Sequence, residues 1–446
     1  MIAAVAGATW VLKWARKLVW SRDGASSDPA RKESYRHFSH IALNAEAHSE
    51  WINMGLWDRP ALHQDHKLAQ PDRSFGTLSQ HDHTRDWWNG FGPIALHQDA
   101  FLSSPNIHDF FPTRSFPRAC QALASYLIHR ASLHLPSNVK IYSDLQGSTA
   151  NLNDLAILDV GHGCGDSLLL LARTLRPRRL HGVTSLPAHA DRARSRLRTF
   201  YDARSRSLAQ CDTLSTTTFE QTNEAGQVWC GDAIEFLDSY HRQDEELKWE
   251  RYDLIYGLDC AYHFRTREKF LQLASQRLKP GGVLVLFDLV AAWPYPLDRS
   301  NQTIRSSSTI SPQQSSNDFS IFHADHKTPI ASPPTLSTRL LHRLTMRLSG
   351  VPSTNLKDVS QYLSDLKAAG LQPVEVQDVS SSVFPGFSTF LQGLGKGGEN
   401  TVRDEWNADF IGLRGFGRIV NRWAKGGAEG AVRAVVTTAK KPRDAQ

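Results

Sequence analysis

An aspartate and three glycines at alternate positions, in 157-ILDVGHGCGDSLLLLA-172, form the clearest chemical signal in this chain of 446 residues. An apolar run ends at Asp159, Gly161, Gly163 and Gly165 follow, and a leucine-rich helix begins at Asp166. In such a turn the missing side chains let a ligand lie against backbone amides. Spacing separates the ligands that use it. A phosphate loop ends in Gly-Lys-Ser/Thr, whereas Gly165 is followed by Asp166 and Ser167. The dinucleotide fingerprint G-x-G-x-x-G needs glycine where Asp166 or Leu168 stands. The carboxylates of Asp159 and Asp166 repel an anionic pyrophosphate and suit a cationic ligand or an amino group. On this loop alone, a tight turn without a ligand is the alternative. A second candidate group lies in 259-DCAYHF-264, where Tyr262 and His263 are able to orient or deprotonate a hydroxyl near neutral pH. For His263 the alternative is a structural hydrogen bond at a helix start. Cys260 reads as packing, since no partner that would favour a thiolate is visible.

Positioning these residues takes an alternation of strands and helices. Strands are expected at 155–160, 179–184, 227–230, 252–258 and 283–289, with helical patterns filling most of the intervals. A helix over 116–135 places Ala119, Leu123, Leu127 and Ala131 on one face. The alternation predicts a mostly parallel sheet covered on both faces. In such sheets the ligand crevice lies beyond the carboxyl ends of the strands, where both candidate loops fall. A helix after 355 stops at Gly370, a strand follows near 372–379, and a last strand near 431–440 is expected to close the sheet edge. The stretch 40-HIALNAEAHSEWINMGLWD-58 reads as an amphipathic helix packed on or over something.

The segment DVGHGCGDS resembles motif I of the class I S-adenosylmethionine-dependent methyltransferases, and four later segments follow in that family's order. The stretch 182-GVTSLPAHADRAR-194 is similar to the second strand and helix of the branch with sterol, tocopherol and cyclopropane-type enzymes. Most of the family has an acidic residue at that strand end to hold the ribose hydroxyls. Thr184 stands there, so ribose contact is implied to come from its hydroxyl or from elsewhere. The stretch 230-CGDAIEFL-237 resembles the adenine-side motif, which implies Asp232 near the adenine amino group and Ala233 beside the ring. The stretches 253-DLIYGLDCAYHF-264 and 277-RLKPGGVLVLFDL-289 resemble the fourth strand with its loop and the fifth strand with its preceding turn.

The resemblance covers about residues 116–290. It implies a Rossmann-like α/β fold, with a seven-stranded, mostly parallel sheet and an antiparallel last strand. It also implies S-adenosyl-L-methionine as cofactor, with His263 and Tyr262 as catalytic candidates next to the transferred methyl. Methyl transfer from a sulfonium is an in-line displacement, so the protein mainly holds the two reactants in line. The segments 51-WINMGLWD-58 and 383-VFPGFSTFL-391 resemble the branch's amino-terminal lid and late substrate-side segment. Trp51, Trp57, Phe384, Phe387 and Phe390 are then expected to wall an apolar pocket, with ordinary core packing as the alternative. A lipophilic small acceptor is favoured. C-methylation of a sterol or lipid double bond and a non-catalytic cofactor-binding module are the rivals.

Composition sets the remaining bounds. The net charge of +6 is mild, and neither a basic block interleaved with aromatics nor the Asn/Asp-Pro-Pro-Tyr/Phe motif is present, which argues against nucleic acid. Five widely spaced cysteines without a C-x-x-C pair read as reduced intracellular thiols. The histidines at 63, 66, 81, 83, 97 and 108 fit no ligand template, so no metal is expected. In 1-MIAAVAGATWVLKWARKLVW-20 the apolar run ends at Leu12, too short for a span of about 20 residues. An interfacial or targeting helix and a packed terminal helix fit it equally, so a cytoplasmic, peripheral membrane or mitochondrial location stays open. The pentapeptide ALHQD occurs twice, at 61–65 and 95–99, which does not make a repeat fold. The expected plan is a terminal helix at 1–20, an extension and lid at 21–115, the cofactor-binding core at 116–290, a low-complexity disordered insertion at 291–338, and a substrate-side segment with the final strands at 339–446.

Overall fold

The computed structural model describes residues 51, 53–58, 115–140, 152–211, 226–239, 251–293, 322–323, 340, 342, 346, 351–394, 407–425 and 430–443. The terminal segment 1–20, both ALHQD copies, the six spaced histidines and most of the insertion 291–338 lie outside the described residues.

Helix α1 (Phe116–Ser132) opens with Pro117, whose fixed φ suits a first turn, and buries Ala119, Leu123, Leu127 and Ala131 completely, the face read from the sequence. The alternation then runs β1 (Asn153–Val160), α2 (Asp166–Thr174), β2 (Pro177–Thr184), α3 (Pro187–Cys211), β3 (Gln227–Cys230), α4 (Ala233–Ser239), β4 (Tyr252–Leu258), α5 (Arg267–Arg277) and β5 (Leu278–Ala291). After it come β6 (Phe322–His323), α6 (Val359–Ala368), β7 (Gln372–Asp378), α7 (Ser380–Gly393), α8 (Asn407–Lys425) and β8 (Val432–Lys440). The sheet order is β3-β2-β1-β4-β5-β8-β7-β6. All neighbours are parallel except β8, which is antiparallel to both β5 and β7.

Period-two alternation divides the core into two layers. Ile157, Leu254, Val283, Val285 and Phe287 face α1, α2, α3 and α7, while Leu158, Ile255, Leu284 and Leu286 face α4, α5 and α6. These side chains are fully buried, and each contributes about 1.5–3 kcal/mol of apolar transfer. Strands buried on both faces read as continuous apolar runs, which is why they were visible in the sequence. Helix α6 starts with a capping box between Asp358 and Gln361 and stops at Gly370, at φ +77°, as expected.

Three expectations are corrected. The last strand does not close the edge: β8 lies inside the sheet, and seven of its nine residues are buried. The free edge beyond β7 is filled by the two-residue β6, which comes from the insertion and makes the sheet eight-stranded. The described part of 40–58 is not helical. Its amides donate outward, Leu56 to the Ala119 carbonyl at 2.8 Å and Trp57 to the Ser382 carbonyl at 2.8 Å. Gly55 sits at φ +73°, where a Cβ would lie 2.7 Å from that of Ala119.

Candidate functional site

Asp159 is the penultimate residue of β1, and after Val160 the chain turns through Gly161, Gly163 and Gly165, at φ +74°, +57° and +92°. Each conformation favours glycine, and two of the three also serve packing. A Cβ on Gly161 would stand 2.6 Å from that of Cys260, and one on Gly165 would stand 2.9 Å from that of Ala193 on α3. The turn therefore nests against the loop after β4 and lets α2 approach α3.

Asp159 is fully buried. Its Oδ2 accepts from Ser167 Oγ at 2.6 Å, and its Oδ1 has no partner among the described residues. Burial pushes this carboxyl up to about 7 against the opposing effect of the Ser167 hydrogen bond. Asp166 differs. The Arg196 guanidinium holds both its oxygens at 2.7 Å and also donates to the Cys164 carbonyl at 3.0 Å, so this carboxylate is already neutralised. His162 is buried against Gly182, and desolvation lowers its imidazole to about 3, which keeps it neutral. Thr184 is buried at the end of β2, and its carbonyl accepts from Gly231 at 2.9 Å. Asp232 is exposed and caps α4, its Oδ1 accepting from Ile234 at 2.8 Å and Glu235 at 3.1 Å, with Ala233 buried next to it.

The loop after β4 opens at Asp259, a non-glycine residue at φ +59°. Its Oδ1 accepts from Tyr262 Oη at 2.5 Å and its Oδ2 from the Met54 amide at 2.8 Å. Desolvation raises its carboxyl to about 7 despite both hydrogen bonds. Burial pushes the Tyr262 phenol well above its ordinary range, so Tyr262 donates and does not serve as a base. His263 is exposed at the end of a single 3₁₀ turn, with its ring centroid 4.3 Å from that of Tyr262. The Asn355 amide, buried beneath, donates to the carbonyls of Tyr262 at 3.0 Å and Phe264 at 2.5 Å. Cys260 is packing, as expected: burial raises its thiol, which donates to the Val160 carbonyl at 3.1 Å.

Trp51, Asn53 and Leu258 meet Gly161, His162 and Gly163 around a small cleft, with Asp166 and Ser167 at its side. Of the aromatic residues expected to wall a substrate pocket, Trp51 lines this cleft. Trp57, Phe384 and Phe387 instead belong to the core between α1, α7 and α8. Trp57 lies 5.5 Å from Phe390 and 6.4 Å from Phe116, Phe384 lies 5.5 Å from Trp423, and Phe387 lies 6.3 Å from Phe416. Sequence reading missed Ser167, Arg196, Asn355 and the two hydrogen bonds accepted by Asp259. Arg196 and Asn355 had no local signal, since each meets its partner only through the fold. Asp259 stood in a quoted motif and was given no role. Among the described residues no group of His, Cys, Asp and Glu is placed to hold a metal.

A parallel sheet with one inserted antiparallel strand, a glycine turn after β1 and a buried carboxylate at that turn agree with the α/β fold that the resemblance to class I S-adenosylmethionine-dependent methyltransferases implies. In sequence the chain is 25% identical over 227 residues to erythromycin 3''-O-methyltransferase of Saccharopolyspora erythraea. That alignment takes in 51% of this chain and 54% of the relative, so the chain spans about half the length of the curated relative it matches. Similar solved structures include the cyclopropane synthase MmaA2 of Mycobacterium tuberculosis, at 13% identity and a TM-score of 0.42 over 80% of this chain and 94% of that one. Another is geranyl diphosphate C-methyltransferase of Streptomyces coelicolor, at 13% identity and a TM-score of 0.38 over 82% and 100%. No protein-family profile matches the chain.

Proposed function

We propose that the chain transfers a methyl group from S-adenosylmethionine to a small, lipophilic acceptor. Asp159 carries the reading: a carboxylate enclosed at a glycine turn, with one oxygen that no described group satisfies. Leaving such an acceptor unpaired costs about 1–3 kcal/mol, so a cationic partner is the natural complement, and the cofactor's amino group is one. When bound, the cofactor supplies an activated methyl group. The chain's own residues do the rest. Gly161 and Gly163 leave room at the backbone, Thr184 stands on the ribose side, and Asp232 and Ala233 flank the adenine side. His263 accepts the proton of the acceptor hydroxyl, and Tyr262 holds the loop that presents it.

Trp51 and Leu258 make the cleft partly apolar, which supports a lipophilic acceptor. The relative's name, a methyltransferase acting on an oxygen of erythromycin, favours O-methylation of a small molecule over C-methylation. Such an acceptor suits a protein that meets a membrane surface through residues 1–20, although no described helix is long and apolar enough to cross one.

Titration calorimetry with S-adenosylmethionine tests the cofactor. Wild type binds, and Gly163→Arg, which puts a long side chain at φ +57° on the cleft wall, does not. Equal titrations of the two proteins reject the assignment. Incubation with a lipid extract then separates an enzyme from a binding module. An enzyme yields S-adenosylhomocysteine and a product one methyl heavier, whereas a module binds without conversion.

A further inference from the structure

We propose that Asp259 is a positioning residue that latches the segment carrying Trp51 and Asn53 over the cofactor cleft, so that covering the cleft and setting the acceptor loop are one event. The inference rests on the methyl-donor reading only for what lies beneath the segment. Two hydrogen bonds carry it. One carboxylate spans two distant pieces of chain, with Oδ2 on the Met54 amide at 2.8 Å and Oδ1 on Tyr262 Oη at 2.5 Å. Met54 lies between Asn53, which lines the cleft, and Gly55, which is locked against α1. Tyr262 precedes His263, and the two rings lie against each other at a 41° tilt. Asp259 itself does not line the cleft, so its influence passes through these two neighbours.

The conformation of Asp259 fits that role. A φ of +59° at a non-glycine residue is held against its preference, and such strain persists where surrounding contacts over-determine it. The far half of the segment is fixed independently of the latch, by Leu56 on Ala119 of α1 and Trp57 on Ser382 of α7. Asn53 keeps its contact with α1, its carbonyl accepting from Cys120 Sγ at 3.2 Å, so releasing Met54 loosens the segment over the cleft while the anchor stays in place. An aspartate accepts both hydrogen bonds at once. An asparagine keeps both partners if the Tyr262 hydroxyl turns from donor to acceptor, whereas Asp259→Ala accepts neither hydrogen bond.

The test follows S-adenosylhomocysteine dissociation from full-length wild type and Asp259→Ala, together with hydrogen exchange at the Met54 amide. Losing a hydrogen bond to a charged acceptor predicts dissociation faster by roughly tenfold or more, with faster exchange at Met54. Tyr262→Phe, which keeps the ring, is the second variant. It gives a smaller acceleration in the same direction and serves alone should Asp259→Ala fold poorly. Dissociation and Met54 exchange equal to wild type overturn the latch. If wild type binds no S-adenosylhomocysteine, the methyl-donor reading fails separately, and Met54 exchange still decides the latch: faster in the variant sustains it, equal overturns it.

Discussion

Asp159 has an ordinary value of 3.8 and is raised to about 7 in the fold by burial, so the folded chain holds a proton there that the unfolded chain has already lost. Between those two values the folded state binds more protons, and its contribution to stability declines as pH rises. Asp259 is raised to about 7 as well and adds to the same slope. A cationic ligand reverses the consequence, because pairing requires the ionised carboxylate. Cofactor affinity is therefore expected to fall as pH drops below about 7, approaching tenfold per pH unit, and to level off above it. Asp159→Asn should bind weakly with little pH dependence in that window, and calorimetry between pH 5 and 8 checks both outcomes. Asp159 and its glycines were legible in the sequence because strand, turn and helix are contiguous there. The neutralisation of Asp166 was not, because its partner Arg196 lies on the next helix and reaches it only when α2 and α3 pack at Gly165.

At the scale of elements, α7 shows why the aromatic residues of 383–391 left two readings open, a pocket wall and ordinary core packing. Composition does not distinguish the two. What decides is Gly386. A Cβ there would fall 2.2 Å from that of Trp57, so the helix is notched to receive the indole, and Trp57 Nε1 donates to the Met54 carbonyl at 2.7 Å. Gly386→Ala raises helix propensity by up to about 1 kcal/mol, yet it overpacks this notch, a change that typically costs about 1–3 kcal/mol. The expected result is a net loss of stability on chemical denaturation, with Trp57 displaced and cofactor affinity lowered through the segment it anchors. An unchanged midpoint would mean that the indole has room elsewhere.

For the whole molecule, the strands as far as β5 were legible one by one, since the apolar runs of a parallel sheet stand out along the chain. Their order across the sheet was not: β1 lies between β2 and β4, and β8, the last described strand along the chain, lies between β5 and β7. Nothing local in 431-AVRAVVTTAKK-441 records that its two edges will both be paired. Strand β7 pairs with β8 and β6 alone, so β8 is the bridge between the first five strands and the outer pair. Deleting residues from 430 onward should detach β7 from the sheet, replacing a single unfolding transition with a broad or absent one and making α6 and α7 sensitive to protease. A truncated chain that melts in one step near the wild-type temperature would contradict this. The same arrangement has a bearing on synthesis. As the polypeptide leaves the ribosome, β5 is complete long before β8 exists. Through that interval the nascent chain carries an unpaired, largely apolar strand edge that is open to misassociation.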